Sequence, residues 1–198
     1  MAERPPVADH DWPVIESTAE YETGWFTGGY DLVELPDGRQ KRYYWAELPP
    51  AAVVVAVVDG PTLAGATGQP TGTGRQLVMV EQYRPAIRRQ CYELPAGVVE
   101  AGESFTTAGA RELREETGFD PAGTSLLAEF WCSTGLMRHR RGIIWAEGLE
   151  PVAPRLDGSE FLTLTTVPVE EALALARAAP ANDATIEGIL LAEADGLL

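Results

Sequence analysis

The chain of 198 residues carries 30 acidic and 15 basic side chains, which leaves a formal net charge of −15. This charge argues against a non-specific binder of nucleic acid or of an anionic membrane, because polyanions would be repelled over the whole surface. It allows a phosphorylated small molecule, provided that bound cations reverse the charge locally. The length and a hydrophobic content of 45% indicate a globular protein built on one main domain.

The acidic excess and the cysteine content bear on the environment of the protein. Lys41 is the only lysine, and a high acid content with almost no lysine is typical of a halophilic protein kept soluble in strong salt. Cys91 and Cys132 are too few for a disulfide framework or a zinc site, so they predict reduced core thiols. No signal-peptide pattern is present, and the longest apolar run, 51–58, is shorter than a membrane span. We therefore expect a cytoplasmic protein.

The first quarter of the chain predicts an arm followed by a small sheet. Residues 1–15 are rich in proline and predict a loosely held arm. The aromatic-rich stretch 25–47 predicts two strands joined by a Pro-Asp-Gly turn. A Pro-Pro pair then marks a boundary. It predicts an N-terminal arm and β-hairpin subdomain at 1–48 and a catalytic domain at 49–198.

Apolar runs predict the strands of the main sheet. The first of them, 51–58, is rich in β-branched residues and suits a strand buried on both faces. Further strands are predicted at 76–83 and 91–94, and a strand pair joined by an irregular basic loop is predicted at 126–132 and 142–147. The glycine- and proline-rich stretch 60–75 predicts a mobile surface loop.

Two helices are predicted near the C-terminal end. The first follows Pro168 and places Glu170 and Glu171 in its first turn, where the helix dipole favours acids. The second begins near Asn182-Asp183, because asparagine can cap a helix. Strands mixed with a few helices predict an α+β domain with a mixed sheet.

A third helix is predicted inside residues 97–119, from about 104–106 to Thr117, and it carries the chemistry. Gly118 follows it at the position where helices commonly end in the left-handed conformation. Small and apolar residues such as Ala108 give this helix a packed side, so we expect it to be docked in the fold.

Three acids lie on one face of this helix, because Glu112, Glu115 and Glu116 stand at i, i+3 and i+4. The cluster is either a solvated acidic face or a site for Mg²⁺ or Mn²⁺, which prefer hard oxygen ligands and substrate phosphates. Glycines at both ends let the backbone approach a ligand and favour the second interpretation. That interpretation predicts metal-assisted chemistry on a phosphate ester or anhydride.

The same segment resembles the signature of the Nudix hydrolase superfamily, G-x5-E-x7-R-E-U-x-E-E-x-G-U with U an apolar residue, and agrees with it at every constrained position. Three flanking stretches resemble the ADP-ribose pyrophosphatase branch: 77–85, 93–97 and 182–186. The resemblance implies an α+β Nudix fold, a mixed β-sheet sandwiched between helices, with a small N-terminal β-sheet subdomain. It also implies an enzyme, a Nudix pyrophosphohydrolase.

By that resemblance the segment holds divalent cations against the diphosphate of the substrate. The implied metal ligands are Glu112, Glu115, Glu116 and the carbonyl of Ala96, and they hold two or more ions of Mg²⁺ or Mn²⁺. Arg111 is implied to orient a carboxylate of this set. The alternative for Arg111 is a surface ion pair with Glu115, which would contribute little. Glu103 matches the first acid of the signature and is implied to support the site.

The resemblance also implies a substrate site on both predicted domains. The implied substrate-binding residues are Arg84, Trp25, Trp45, Gly97 and Gly135. Arg84 would contact the phosphate or ribose, and the alternative is a structural ion pair with Glu93. The two tryptophans would stack on adenine, and the alternative is ordinary core or dimer packing. The N-terminal strands imply a homodimer.

The loop after the signature departs from the pattern of the branch, in which a glutamate often serves as candidate base. Residues 132–141 contain no acid, and His139 stands near the expected place. A neutral imidazole can accept a proton from water near neutral pH. Three neighbouring arginines disfavour its protonation and would suit a phosphate clamp. The signature segment 97–119 is called the box below. The base is therefore a box glutamate, His139 or a metal-bound hydroxide that needs little help.

Three functions follow from these observations. The first is Mg²⁺-dependent hydrolysis of ADP-ribose or a related ADP-sugar to AMP and a sugar phosphate. The second is hydrolysis of another NDP-sugar, a dinucleoside polyphosphate or NADH, because the box addresses only the diphosphate. The third is a non-catalytic nucleotide-sugar sensor, which the missing loop acid suits and the complete box argues against.

Overall fold

The structure is a computed structural model that describes residues 12–60, 74–153 and 161–198. Contacts divide the chain into two units, which are described separately. The first unit comprises the chain up to Pro49 together with Trp131–His139, and the second comprises Pro50–Phe130 and Arg140–Leu198. The loop predicted at 60–75 lies almost entirely outside the described residues.

The first unit contains one antiparallel hairpin extended into a four-stranded sheet. Its strands are β1 (Val14–Glu22), β2 (Thr27–Glu34), β3 (Gln40–Glu47) and β9 (Met137–Arg138). They lie in the order β1-β2-β3-β9, and β2 pairs with β3 antiparallel as the predicted hairpin requires. Gly38, with φ of +82°, forms the turn between β2 and β3, a conformation that glycine adopts without steric cost.

Strand β1 corrects the prediction of a loosely held arm over residues 1–15, of which 1–11 lie outside the described part. Trp12 packs on Tyr43 with 5.4 Å between ring centroids, and β1 begins at Val14. Nearly all β1 side chains are exposed. The apolar alternation typical of a half-buried strand is therefore weak in the sequence, and pairing with β2 decides the conformation.

The second unit is built on a seven-stranded mixed sheet. Its strands are β4 (Ala51–Asp59), β5 (Arg75–Arg84), β6 (Arg89–Glu93), β7 (Ala96–Val98), β8 (Phe119–Trp131), β10 (Arg140–Pro151) and β11 (Leu162–Pro168). The sheet order is β11-β5-β4-β10-β8, with β6 on β5 and β7 on β4. Strand β10 runs parallel to β4, whereas β5 runs antiparallel to both β4 and β11. The predicted mixed sheet is confirmed.

Three helices lie in the described residues of the second unit: α1 (Phe105–Thr117), α2 (Val169–Ala176) and α3 (Asp183–Ala194). Ser104 caps α1 by accepting a hydrogen bond from the N–H of Thr107, and Gly118 ends it with φ of 72°. Asn182 caps α3 in the same way. All three helices agree with the prediction. No helix in the described part of the chain is long and apolar enough to cross a membrane.

Strand β4 shows how the helices cover both faces of the sheet, because successive side chains of a strand point to opposite faces. Val53 and Val55 belong to a buried cluster that includes residues of α2 and α3. Val54 belongs to a second cluster that includes Ala108 and Leu113 of α1. The helices therefore lie on opposite faces of the sheet, which confirms the predicted sandwich.

Candidate functional site

Two acids of α1 lie against the short stretch of backbone that leads into β7. The N–H of Ala96 donates to Oε2 of Glu116 over 3.0 Å. A Cβ added to Gly97 would lie 2.0 Å from the carboxyl carbon of Glu112, so only glycine allows this carboxylate to approach the chain so closely. Glu112 and Glu116 are 7% and 6% exposed. The structure thus brings together two nearly buried carboxylates and the Ala96–Gly97 backbone.

Arg111 is the cation that compensates the acids of α1. Its Nη1 donates to Glu112 over 2.7 Å and to Glu115 over 3.2 Å. Its Nε and Nη2 donate to the two carboxylate oxygens of Glu103, and Nη2 also donates to the carbonyl of Val98. Arg111 therefore binds three carboxylates and not only Glu115. The hydrogen bonds from Arg111 lower the pKa of Glu103, and Glu103 in turn raises the pKa of Arg111.

The side chains of this cluster fit a divalent cation of the Mg²⁺ type. Mg²⁺ is usually held by one or two carboxylates, while waters and substrate phosphates complete its coordination. Glu112 and Glu116 provide two such carboxylates, and the third acid, Glu115, is more exposed, with a side chain 36% accessible. Within the described residues no three acid, histidine or cysteine side chains form a complete metal cage. Backbone, water and substrate oxygens would therefore have to supply the remaining ligands.

Arg84 lies at the end of β5 and forms a two-point ion pair with Glu93. Its Nε donates to Oε1 over 3.0 Å, and its Nη2 donates to Oε2 over 2.5 Å. Glu93 is only 3% exposed, so its carboxylate is a fixed anchor. The hydrogen bonds that Arg84 donates to Glu93 raise the pKa of Arg84, with a smaller contribution from the charge of Glu116. The ion pair offered as the alternative role for Arg84 is therefore present.

The two tryptophans belong to the first unit and differ in accessibility. Trp25 is 78% exposed. Trp45 donates from Nε1 to Asp31 over 3.0 Å, and the guanidinium of Arg138 lies 4.0 Å from its ring centroid. Arg138 also pairs with Asp31 over 2.5 Å. No sequence spacing links Asp31 to Trp45 and Arg138, so the sequence gives no signal for this acid.

Asp31 remains charged in this position although burial disfavours its ionised form. Hydrogen bonds from Ser17, Trp45 and Arg138 outweigh that burial and lower its pKa. The acid therefore holds both the indole and the guanidinium by charge-assisted hydrogen bonds. Trp45 and Arg138 form one fixed stack.

The loop between β8 and β10 contributes His139 and Gly135 to the first unit. His139 is 9% exposed, and its Nδ1 lies 2.8 Å from the carbonyl of Pro49, to which it donates. A Cβ on Gly135 would meet no atom within 4 Å. The structure places these two residues with the N-terminal sheet, while the box glutamates belong to the second unit.

The three loop arginines each have a carboxylate partner. Arg138 pairs with Asp31, Arg140 pairs with Glu129 over 2.8 Å, and Arg141 pairs with two acids of α3. These ion pairs compete with the phosphate clamp that the basic loop suggested. The positive charge of the loop is largely compensated within the protein itself.

The chain is similar in sequence to several known proteins. A NUDIX domain profile matches residues 63–188. The ADP-ribose pyrophosphatase of Bacillus subtilis (strain 168) is 30% identical over 154 residues, covering 77% of this chain and 76% of that protein. The methanol dehydrogenase activator of Bacillus methanolicus is 32% identical over 145 residues, with coverages of 72% and 71%.

Two further similarities extend over nearly the whole chain. The ADP-ribose pyrophosphatase of Mycobacterium tuberculosis is 29% identical over 192 residues, covering 95% of this chain and 86% of that protein. The crystal structure of an ADP compounds hydrolase superposes with a TM-score of 0.77 and 19% identity, covering 94% of this chain and 97% of that one. Similarity at that identity shows the fold.

Proposed function

This chain belongs to the NUDIX domain family and is a Nudix hydrolase; from that premise we propose that it hydrolyses the diphosphate of ADP-ribose or of a related ADP-sugar. The products would be AMP and a sugar phosphate. One observation carries the proposal: Glu112 and Glu116, both nearly buried, lie against the Ala96–Gly97 backbone. Two of the three relatives described above are ADP-ribose pyrophosphatases.

In this proposal Glu112, Glu116 and the carbonyl of Ala96 hold a divalent cation, with Glu115 as a further ligand for a second ion. Bound Mg²⁺ or Mn²⁺ would neutralise the diphosphate and polarise the phosphorus under attack by water. Arg111 does not need to touch the substrate. By binding three carboxylates at once it would orient Glu112 and Glu115.

Arg84 is proposed to contact the phosphate or ribose of the substrate. Its ion pair with Glu93 uses Nε and Nη2, two of the three guanidinium nitrogens. A buried, two-point anchor fixes the plane of the guanidinium before substrate arrives, which lowers the entropy cost of binding. Gly97 allows close approach at the metal end of the site, and Gly135 is proposed to face the substrate from the loop.

The adenine is proposed to stack on tryptophan of the first unit. Trp25 is the more accessible ring, whereas Arg138 covers one face of Trp45. Trp45 would therefore offer only its opposite face to the base. Stacking of a base on an aromatic ring contributes about 1–3 kcal/mol, so W25A should raise KM for ADP-ribose more than KM for a substrate without the base.

The residue that activates water is tested with two variants and two measurements, kcat and the affinity for Mn²⁺. Glu115 is the most exposed box glutamate in contact with Arg111, and His139 is the alternative from the loop. We expect E115Q to lower both kcat and the affinity for Mn²⁺, because Glu115 is proposed as a cation ligand, while H139Q keeps both. Loss of kcat in H139Q with unchanged Mn²⁺ affinity would assign the role of base to His139.

The substrate assignment is tested by a panel of diphosphates with product masses. Purified protein is incubated with Mg²⁺ and with ADP-ribose, GDP-mannose, a dinucleoside polyphosphate or NADH. We expect ADP-ribose to be cleaved fastest, to AMP and ribose 5-phosphate, and EDTA to stop the reaction. Faster cleavage of another member would move the assignment to that substrate. Tight ADP-ribose binding without Mg²⁺-dependent turnover would identify a sensor.

We further propose a homodimer formed through the first unit. Strand β1 lies at an edge of its sheet, and Ile15, Tyr21 and Tyr44 of the same unit are 48%, 60% and 55% exposed. Exposed aromatic side chains on a sheet with an open edge are typical of a protein interface. Light scattering should give twice the chain mass, and the monomer mass would contradict the proposal.

The charge of −15 supports a further proposal about salt and compartment. We propose a halophilic, cytoplasmic protein whose mutual acid repulsion is screened by salt. The melting temperature should rise between low and molar KCl. A curve that is flat or falls with salt would contradict the halophilic assignment.

A further inference from the structure

The chain leaves the sheet ladder between β6 and β7, because β6 pairs with β5 and β7 pairs with β4. Leu94 and Pro95 form this crossover, and their backbone groups find partners elsewhere. The carbonyl of Pro95 accepts a hydrogen bond from β4, and the N–H of Ala96 donates to Glu116. The N–H of Leu94 donates to Oγ1 of Thr185 over 3.1 Å. The N–H groups of Leu94 and Ala96 thus donate to side-chain oxygens, where a residue inside a sheet would donate to a carbonyl of the neighbouring strand.

Thr185 belongs to the first turn of α3, which packs tightly against this crossover. Its hydroxyl-bearing side chain is 1% exposed, and its own N–H donates to Asn182 over 3.0 Å. A Cβ added to Gly188 would lie 2.5 Å from Cδ1 of Leu94, so α3 approaches the crossover without a gap. Arg141 of β10 binds two acids of the same helix. Helix α3 is therefore a fixed support for the crossover.

We propose that Thr185 is a positioning residue for the cation-binding stretch Ala96–Gly97. Thr185 fixes the crossover from the side of α3, and Glu116 binds it from the side of α1. When the Thr185 acceptor is removed, the N–H of Leu94 loses its partner and the crossover shifts. Because Ala96 follows two residues later, the shift moves the N–H that orients the Glu116 carboxylate. The inference rests on the proposed function, since it takes Glu116 as a cation ligand.

The test compares T185V with T185S. Valine keeps the size of threonine but has no hydroxyl, whereas serine keeps the acceptor. We expect the Kd for Mn²⁺, measured by electron paramagnetic resonance without substrate, to rise about tenfold in T185V. T185S should stay close to wild type. The amide of Leu94 should also exchange its hydrogen faster in T185V. T185A removes the same acceptor and replaces T185V if that variant does not fold.

N182A is the matched control, because it removes the hydrogen bond accepted from the N–H of Thr185 and keeps the Thr185 hydroxyl that binds Leu94. It should lower the melting temperature and change the Kd for Mn²⁺ much less than T185V does. An unchanged Kd in T185V, or an equal rise in N182A, would overturn the positioning role. These outcomes differ from failure of the proposed function, in which wild type itself neither binds Mn²⁺ nor cleaves an ADP-sugar.

Discussion

Replacement of Gly97 by alanine should inactivate the enzyme without unfolding it. The added Cβ would lie 2.0 Å from both Cδ and Oε1 of Glu112, whereas ordinary contacts begin at 3.4 Å. The carboxylate must therefore retreat by more than 1 Å. The obstructing atoms are the far end of a flexible side chain, so the fold can yield at modest cost. A misplacement of about 1 Å at a reacting centre can cost about a hundredfold in rate, and we expect a loss of kcat of that order.

The assay measures AMP release at saturating Mg²⁺ and the melting temperature of the same preparations. G123A is the control, because its Cβ would meet Glu147 at an ordinary distance of 3.4 Å. It should keep the wild-type rate. Wild-type turnover in G97A would show that the position of Glu112 is not needed for catalysis. If G97A does not fold, the close approach of Glu112 to Gly97 is required for folding, and the prediction of a folded but inactive variant is wrong.

Four further single variants test the charged contacts. R84A and E93Q should each lower kcat/KM, and because both break one ion pair the double variant should lose no more than the worse single one; additive losses would contradict this. R111K has three N–H donors on a single atom and cannot replace the five hydrogen bonds that Arg111 donates, so it should weaken Mn²⁺ binding, whereas wild-type affinity would show that charge alone suffices. Arg111 lowers the pKa of Glu103 in the folded state below its ordinary value of 4.5, so the ionised Glu103 stabilises the fold. This stabilisation is present above pH 4.5 and is lost as the pH falls through the folded-state pKa. The melting temperature of E103Q should therefore fall less than that of wild type when the pH is lowered.

The parts of the fold that local patterns specify were predictable from the sequence. Ser104 and Gly118 mark the two ends of α1, and Asn182 marks the start of α3. These ends could be predicted because a capping residue acts within a few residues of the helix end. The continuous apolar run in β4 likewise indicated a strand buried on both faces. These signals do not depend on the rest of the fold.

The missed elements depend on partners distant in the sequence. Strand β8 begins at Phe119, although Pro121 and Gly123 favour a turn, because it is paired in the sheet with β10. Strand β7 has only three residues, too few to show a pattern, and no strand was predicted over β11 although Pro168 marks its end. Pairing within a completed sheet decided all three.

In the candidate site, too, local patterns could be predicted and contacts between distant residues could not. The spacing of Glu112, Glu115 and Glu116 predicted a shared face, and the resemblance implied that Arg111 orients a carboxylate of that set. Which carboxylate each arginine pairs with was harder to predict from the sequence. The bond of Asp31 to Arg138 joins residues 107 positions apart, and no local pattern indicates it.

The release of AMP from ADP-ribose by wild type and by E116Q is the most direct measurement. Glutamine keeps an oxygen that can accept from the N–H of Ala96, so the hydrogen bond at 3.0 Å can persist while the ligand charge is lost. We expect Mg²⁺-dependent AMP release by wild type, an unchanged melting temperature, and a rate in E116Q reduced by about a hundredfold or more. Near-wild-type turnover in E116Q, or no AMP from wild type, would contradict the assignment of Glu116 as a cation ligand in an ADP-ribose hydrolase.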